Sequence, residues 1–553
     1  MMQKPAARKT VPWWEKGVIY QIYPRSFSDS NADGIGDLEG VIQKLDYLND
    51  GSERSLGIDA IWLSPIFPSP MADFGYDVSD YCNIHPLFGD LDVFDRLVAE
   101  AHHRTIKVIL DFVPNHTSDL HPWFVESRSS RTNPKRDWYI WRDAKADGSL
   151  PNNWGSAFGG PAWEWDEVSA QYYLHTFLKE QPDLNWRNPQ VKKAMLDVLR
   201  FWLEHGVDGF RMDVVGMILK DPELRDNPVL KDDLDPANPD GPYYQQLHVH
   251  DQDLDEVHAL IRDFRSLLDE YPERCGIGEV WYELPRWIKY YGSRGDELHL
   301  PFNFRLMKVP WDAGAIRESV DEMEQALPDF AWPNYVLNNH DSPRLISRVG
   351  DEQARVAAML LLTLRGTPTL YCGEELGMEN GVISQDQMQD PQGFRLGISY
   401  SRDLSRTPMQ WTDGHNAGFS SAQPWLPLTP GYQSKNVAVE DRDPTSMLTL
   451  YRRLLHLRKQ RPALHSGSYT SVAVESSDCY VFERSQAGEQ YLIALNFSHE
   501  HQKLRIPGWT GGKLLLSTYL DAAAVFGKNT LDLRADEGVI IEIKHNHVTR
   551  QDG

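Results

Sequence analysis

The chain has 553 residues, which at roughly 100–200 residues per domain allows several domains or one enlarged catalytic domain with attachments. Its 56 Lys and Arg against 80 Asp and Glu leave a net charge of −24, which disfavours a nucleic-acid backbone or an anionic membrane surface as partner. With 41% hydrophobic and 25% charged residues the composition is that of a folded protein, and its 18 Trp, 23 Tyr and 20 Phe offer flat faces suited to sugar rings.

Short β-type runs alternate with helical ones. Residues 18–23 (VIYQIY) read as a buried strand, and 38–48 carry apolar residues at helical spacing. Strand-like 58–63 precedes helical 91–101, and 107–112 (KVILDF) is the third strand. Helical 191–205 then leads into 207–213. Further strand candidates are 275–280, 298–304, 335–338 and 367–371, with amphipathic helical stretches at 254–268 and 353–364. Eight strands alternating with helices predict an α/β fold, a closed (β/α)8 TIM barrel of parallel strands.

Two segments interrupt this rhythm. Residues 117–185, rich in Trp, Pro, Asn and Gly, are too long for a loop and predict an inserted subdomain after the third strand. Residues 377–427 form a second excursion after the eighth strand. Past 466, short alternating runs (480–483, 491–496, 539–543) predict a C-terminal antiparallel β-sandwich domain. The expected division is therefore a barrel of 1–116 and 186–465, an insert of 117–185 and a C-terminal domain of 466–553.

Cys82, Cys275, Cys372 and Cys479 lie far apart without a C-x-x-C pair, against a disulfide framework or a thiolate metal site. The N-terminal MMQKPAARKTVPWW has no apolar stretch after its basic residues, and the most apolar run, 356–364, is far short of the ~20 residues that span a bilayer. These features predict a cytoplasmic protein with no membrane or nucleic-acid partner; its oligomeric state is not encoded in any pattern seen here.

In a barrel of this kind the active site lies at the carboxyl ends of the strands. There the sequence places Asp111 to His116, Arg211 and Asp213, Glu279 and Trp281, and Asn338 to Asp341. Arg211 and Asp213 are two apart on one strand and point to the same side, so the guanidinium is expected to keep Asp213 ionised, as a carboxylate nucleophile requires. Glu279, beside Gly276, Ile277 and Trp281, is expected in an apolar setting that keeps it protonated as an acid. Two carboxyls of opposite protonation state are the working parts of glycoside hydrolysis. His116 and His340, both at strand ends, suit hydroxyl binding.

The ordered motifs Asp111-Phe-Val-Pro-Asn-His116, Gln181-Pro-Asp-Leu-Asn185, Asp208-Gly-Phe-Arg-Met-Asp213, Gly278-Glu-Val-Trp281, Asn339-His-Asp341 and Gly373-Glu-Glu-Leu-Gly-Met378 carry a resemblance that covers nearly the whole chain. It is to the α-amylase superfamily of glycoside hydrolases, in its α-glucosidase and oligo-1,6-glucosidase branch; the segment from Arg402 to Trp411 resembles one typical of exo-acting members. The resemblance implies Asp213 as nucleophile, Glu279 as general acid/base and Asp341 as the carboxylate gripping ring hydroxyls. It further implies Asp73 and Tyr76 as closing the pocket around the non-reducing glucose. His116, Arg211, His340 and Arg402 match further contacts, and Phe158 and Phe177 match hydrophobic walls. Phe74 and Cys372 depart from the usual wording, where Asn and Gln are frequent.

Asp29, Asn31, Asp33, Ile35 (through its carbonyl) and Asp37 place oxygen ligands at alternate positions of an EF-hand-like loop, although Gly40 stands where an EF-hand has Glu. Oligo-1,6-glucosidase relatives carry calcium at this loop, so the resemblance implies a structural Ca²⁺; no organic cofactor is expected.

The expected activity is a retaining, exo-acting α-glucosidase on terminal α-1,4 and/or α-1,6 bonds of small oligosaccharides or disaccharides, with transglucosylation open on the same intermediate. Val214, following the nucleophile, is associated in this branch with α-1,6 preference. The alternatives are a sucrose isomerase or trehalose synthase on the same scaffold, and a non-catalytic member like the heavy-chain subunits of amino-acid transporters. A barrel enzyme using NAD or phosphate is disfavoured because no Gly-rich phosphate loop is seen.

Overall fold

The structure, a computed structural model, describes residues 11–230, 241–486, 488–521, 525–526 and 529–543. The first ten residues, on which the N-terminal reading rests, and the C-terminal end of the last expected domain lie outside them.

Eight parallel strands close into a barrel: β1 (Ile19–Ile22), β2 (Ala60–Leu63), β3 (Lys107–Phe112), β4 (Gly209–Met212), β5 (Cys275–Gly278), β6 (Leu300–Asn303), β7 (Asn334–Val336) and β8 (Thr367–Tyr371). Each pairs with its neighbours in chain order, and β8 returns to β1 through Ile19 opposite Thr369. Alternation along the strands divides two cores. Ile19, Ala60, Trp62, Ile109, Cys275, Ile277, Leu300 and Phe302 fill the interior, while Tyr20, Ile22, Ile61, Val108, Leu110 and Phe210 pack outward against the helices.

The helices cover the barrel with their apolar stripes. Asp90 caps Leu91–His103 by accepting from Val93 N, and Asn188 caps Pro189–Glu204 from Gln190 N. The single helix predicted over 38–48 is two: Leu38–Gln43 and Leu45–Leu48 meet at Lys44, whose φ of −107° and ψ of 2° are not helical. The helix predicted from 254 begins later, at Val257, and runs to Leu268.

Between β3 and β4, helix Pro122–Ser129 and a three-stranded antiparallel sheet, with Gln171–Leu174 between Trp141–Arg142 and Trp163–Asp166, stand over the carboxyl end of the barrel. After the barrel, a six-stranded antiparallel sheet is built around Cys479–Gln486, Glu489–Asn496 and Gly538–Ile543. Its Val481, Leu492 and Ile541 share a core with Leu504 and Leu531 of a two-stranded ribbon; its opposite face, with Phe482, Ile493 and Ile540, joins the barrel's helical layer. No described helix is long and apolar enough to cross a membrane.

Candidate active site

Two residues beyond the apolar positions inside the barrel, the same inward parity delivers polar side chains: Gln21 after Ile19, Asp111 after Ile109, Arg211 after Gly209, and Glu279 after Ile277. Chain direction therefore gathers charge at one end of the barrel. Above it lies a cavity of about 680 Å³.

Asp73, Tyr76, His116, Phe158, Phe177, Asp213, Glu279, Asp341 and Arg402 all line that cavity. Arg211 and His340 do not; they are buried behind it and hold residues that do. Arg211 donates from one terminal nitrogen to Asp213 Oδ1 at 2.6 Å and to Asp111 at 2.9 and 3.1 Å, and from the other to Glu279 Oε2 at 2.5 Å.

This arrangement corrects the expected charge of Asp213 and the expected apolar surroundings of Glu279. Burial raises the Asp213 carboxyl well above its ordinary value; Arg211 opposes, but Glu279 and Asp111 add like charge. Burial likewise lifts Asp111 to about 6 against the pull of Arg211. One buried guanidinium does not neutralise three buried carboxylates. Glu279, for its part, is not in an apolar setting. Its Oε2 accepts from Arg211 and from Val214 N (3.1 Å), and its Oε1 accepts from the Trp281 indole at 2.6 Å.

Val214 delivers that N–H from a left-handed backbone, φ 37° and ψ 42°, a conformation costly for a β-branched residue. The turn just past the nucleophile position thus carries strain that points its amide at Glu279.

His340 links the floor to the wall. Gln21 Nε2 donates to its Nδ1 at 2.7 Å, so the ring hydrogen is on Nε2, 2.7 Å from Tyr76 Oη and 3.1 Å from Asp341 Oδ2. Tyr76 in turn donates to Asp111 Oδ2 at 3.1 Å. Burial lowers His340 to about 3, which keeps it neutral. Asp341 is also disfavoured as an anion by burial, yet His340, Arg406 at 2.8 Å and Arg402 hold its carboxyl below its ordinary value. His116, pushed down to about 4 by burial, meets Gln181 Nε2 at 3.0 Å, and Gln181 also donates to Asp73 Oδ2 at 3.1 Å. Phe177 packs edge-on against both His116 and Phe158, and the Arg402 guanidinium lies 5.1 Å from the Phe158 ring centroid.

Several participants carried no assigned role from sequence. Gln181 and Arg406 lay inside quoted motifs, whereas Asp390, which clamps Arg402 at 2.6 Å, had no local pattern at all. A whole wall was missed: Tyr243, Tyr244, Gln246, Leu247 and His248 line the cavity from the segment between β4 and helix Val257–Leu268. The signal was the long interval between Asp213 and residue 254, which is no ordinary βα loop.

The loop of Asp29 to Asp37 lies away from the cavity. Asp29 accepts from the backbone of Asn31, Ala32 and Gly34, Asn31 from Asp33 N, and Asp33 from Ile35 N. Asp37 accepts from Ser30 and caps Gly40 N. Its all-oxygen donor set has the chemistry calcium favours, although among the described residues no three His, Cys, Asp or Glu side chains are gathered to hold an ion.

The α-amylase catalytic-domain family matches residues 21–467. A probable α-glucosidase of Rhizobium meliloti (strain 1021) is 44% identical over 509 residues, 90% of this chain and 91% of its own length. An oligo-1,6-glucosidase of Parageobacillus thermoglucosidasius is 40% identical over 548 residues, 92% of this chain and 95% of its own length. The crystal structure of an α-glucosyl transfer enzyme, 41% identical, superposes with a TM-score of 0.90 over 97% of this chain and 100% of the other. Barrel, converging carboxyls and these matches agree: the chain belongs to the α-amylase family of glycoside hydrolases.

Proposed function

We propose that the enzyme is a retaining α-glucosidase that removes glucose from the non-reducing ends of small α-1,4- or α-1,6-linked glucosides. The observation that carries this reading is the pair of hydrogen bonds that Arg211 donates, one to Asp213 and one to Glu279. Two nitrogens of one planar group hold the carboxyls side by side, as suits the ~5–5.5 Å separation of a covalent route rather than the ~6.5–9.5 Å that leaves room for water.

One proton serves the pair. It passes to Glu279 as the sugar seats, leaving Asp213 charged for attack at the anomeric carbon while Glu279 protonates the departing oxygen. The β-glucosyl ester on Asp213 is then opened by water, whose proton returns to Glu279, and α-glucose leaves. Asp341, kept anionic by its cations, is placed to grip ring hydroxyls. The Asp73–Arg402 pair and the insert's Phe158 and Phe177 wall the cavity, in keeping with end-on binding of short substrates.

Transfer to a sugar acceptor is the second reading, favoured by the likeness to the α-glucosyl transfer enzyme; it uses the same ester with a sugar hydroxyl replacing water. A structural Ca²⁺ at the loop of Asp29, Asn31, Asp33, Ile35 and Asp37 is proposed on donor chemistry alone, with no part in these steps. Asp213→Asn tests the central reading: turnover falls at least about 10⁴-fold with the thermal midpoint preserved. Substantial residual turnover removes Asp213 from its role.

A further inference from the structure

Glu279 has to be an acid in the first step and a base in the second, so the donors around it decide how readily it changes hands with a proton. Its Oε2 is committed twice, to Arg211 and to the Val214 amide. That leaves Oε1 as the oxygen that can meet a leaving group or a water. Oε1 carries one bond, from Trp281 Nε1 at 2.6 Å. A carboxylate oxygen accepts two such bonds, so the second position on Oε1 is the one open to the reaction.

Trp281 is not loosely placed. Its ring is stacked on Phe304, centroids 3.9 Å apart and planes within 8°, and Lys308 Nζ stands 4.9 Å from its ring centroid. The indole lines the same cavity as Glu279. Its N–H can only donate, and a donor favours the charged form of an acceptor carboxyl.

We propose that Trp281 is a positioning residue for the acid/base: its N–H directs Glu279 Oε1 at the scissile bond and stabilises the carboxylate that appears when the proton is given up. This rests on the reading of Glu279 as acid/base given above. The bond is stretched on reprotonation, because the N–H then faces an oxygen of lower charge. Substrates whose leaving group needs a proton feel the loss most.

Trp281→Phe keeps a ring on Phe304 and deletes the N–H; Trp281→Leu, which also has no donor, serves in the same comparison should the Phe variant be unstable. The alkaline limb of kcat/KM is expected to move up by about one pH unit, the size of one hydrogen bond to a charged group. At the optimum, kcat/KM on a glucose disaccharide is expected to fall about tenfold. On 4-nitrophenyl α-glucoside, whose phenolate departs without help, it falls less. An unmoved alkaline limb, or equal losses on both substrates, overturns the proposal and leaves Trp281 as packing. Glu279→Gln separates the two readings: if it keeps disaccharide turnover, the acid/base assignment itself fails, whereas a dead Glu279→Gln with an unmoved Trp281→Phe limb sinks only the role of Trp281.

Discussion

Arg402 and Asp73, 329 residues apart in the chain, meet across the cavity at 2.6 Å, with Phe158 beneath the guanidinium. Both are buried, and Asp390 holds Arg402 from behind at 2.6 Å. The excursion after β8 is thereby tied to the loop after β2, and the far side of the sugar pocket is closed by a bond between two loops.

Because Asp390 keeps Arg402 in place, Asp73→Ala is expected to spare the fold and open the pocket. Asp73 is read as gripping the terminal glucose, and a hydrogen bond to a charged group is worth about 1.5–3 kcal/mol, so kcat/KM on disaccharides is expected to fall by about ten- to a hundredfold. Longer substrates lose less, because the wall that stops them is gone. Kinetics over a chain-length series with thermal melts checks both halves.

Val214 stands at the bend after Asp213 and lines the cavity. Val214→Thr changes a methyl for a hydroxyl of similar bulk, a difference worth about 1–3 kcal/mol at most between competing substrates. The ratio of isomaltose to maltose kcat/KM is expected to fall, by no more than about 150-fold, read from competition assays on the two disaccharides.

Glu440 supplies a pH prediction for stability. It is buried under helix Met447–Gln460, its Oε2 accepting from Leu448 N at 3.0 Å, and burial raises its carboxyl from 4.5 to about 8. A carboxyl raised in the folded state lets the unfolded chain ionise first, so its contribution is whole below pH 4.5 and is lost as pH rises toward 8. Glu440→Gln keeps the acceptor and removes the titration. The melting temperature of the parent is expected to fall between pH 5 and pH 8 by about 2 °C or more beyond that of the variant, measured by calorimetry.

For the loop of Asp29 to Asp37, added Ca²⁺ is expected to raise the melting temperature and exhaustive chelation to lower it, with turnover little changed at low temperature. Asp33→Asn weakens both responses. If chelation leaves the melt where it was, the loop is an Asx-turned connection held by its own amides.

Much of this molecule was legible before folding. Residues 107–112 and 367–371 emerged as strands at their predicted bounds because short runs carrying β-branched and aromatic residues, stopped by nearby Pro114 or by Gly366 and Gly373, read as strands. Strand parity also placed Arg211, Asp213 and Glu279 at one end of the barrel. The charge of Asp213 was misjudged, since it depends on how many carboxyls surround Arg211, and Asp111 comes from a different strand. Nor does sequence spacing reveal that Lys44 breaks a helix or that Asp390 backs Arg402. The wall from Tyr243 to His248 escaped because its residues carry no periodicity, only the length of the interval that contains them.

Proton NMR of the first glucose released from maltose or isomaltose, recorded faster than mutarotation, tests the central claim most directly. Attack by Asp213 followed by water on the same face predicts the α anomer. Initial appearance of the β anomer contradicts a covalent ester on Asp213 and the account built on it.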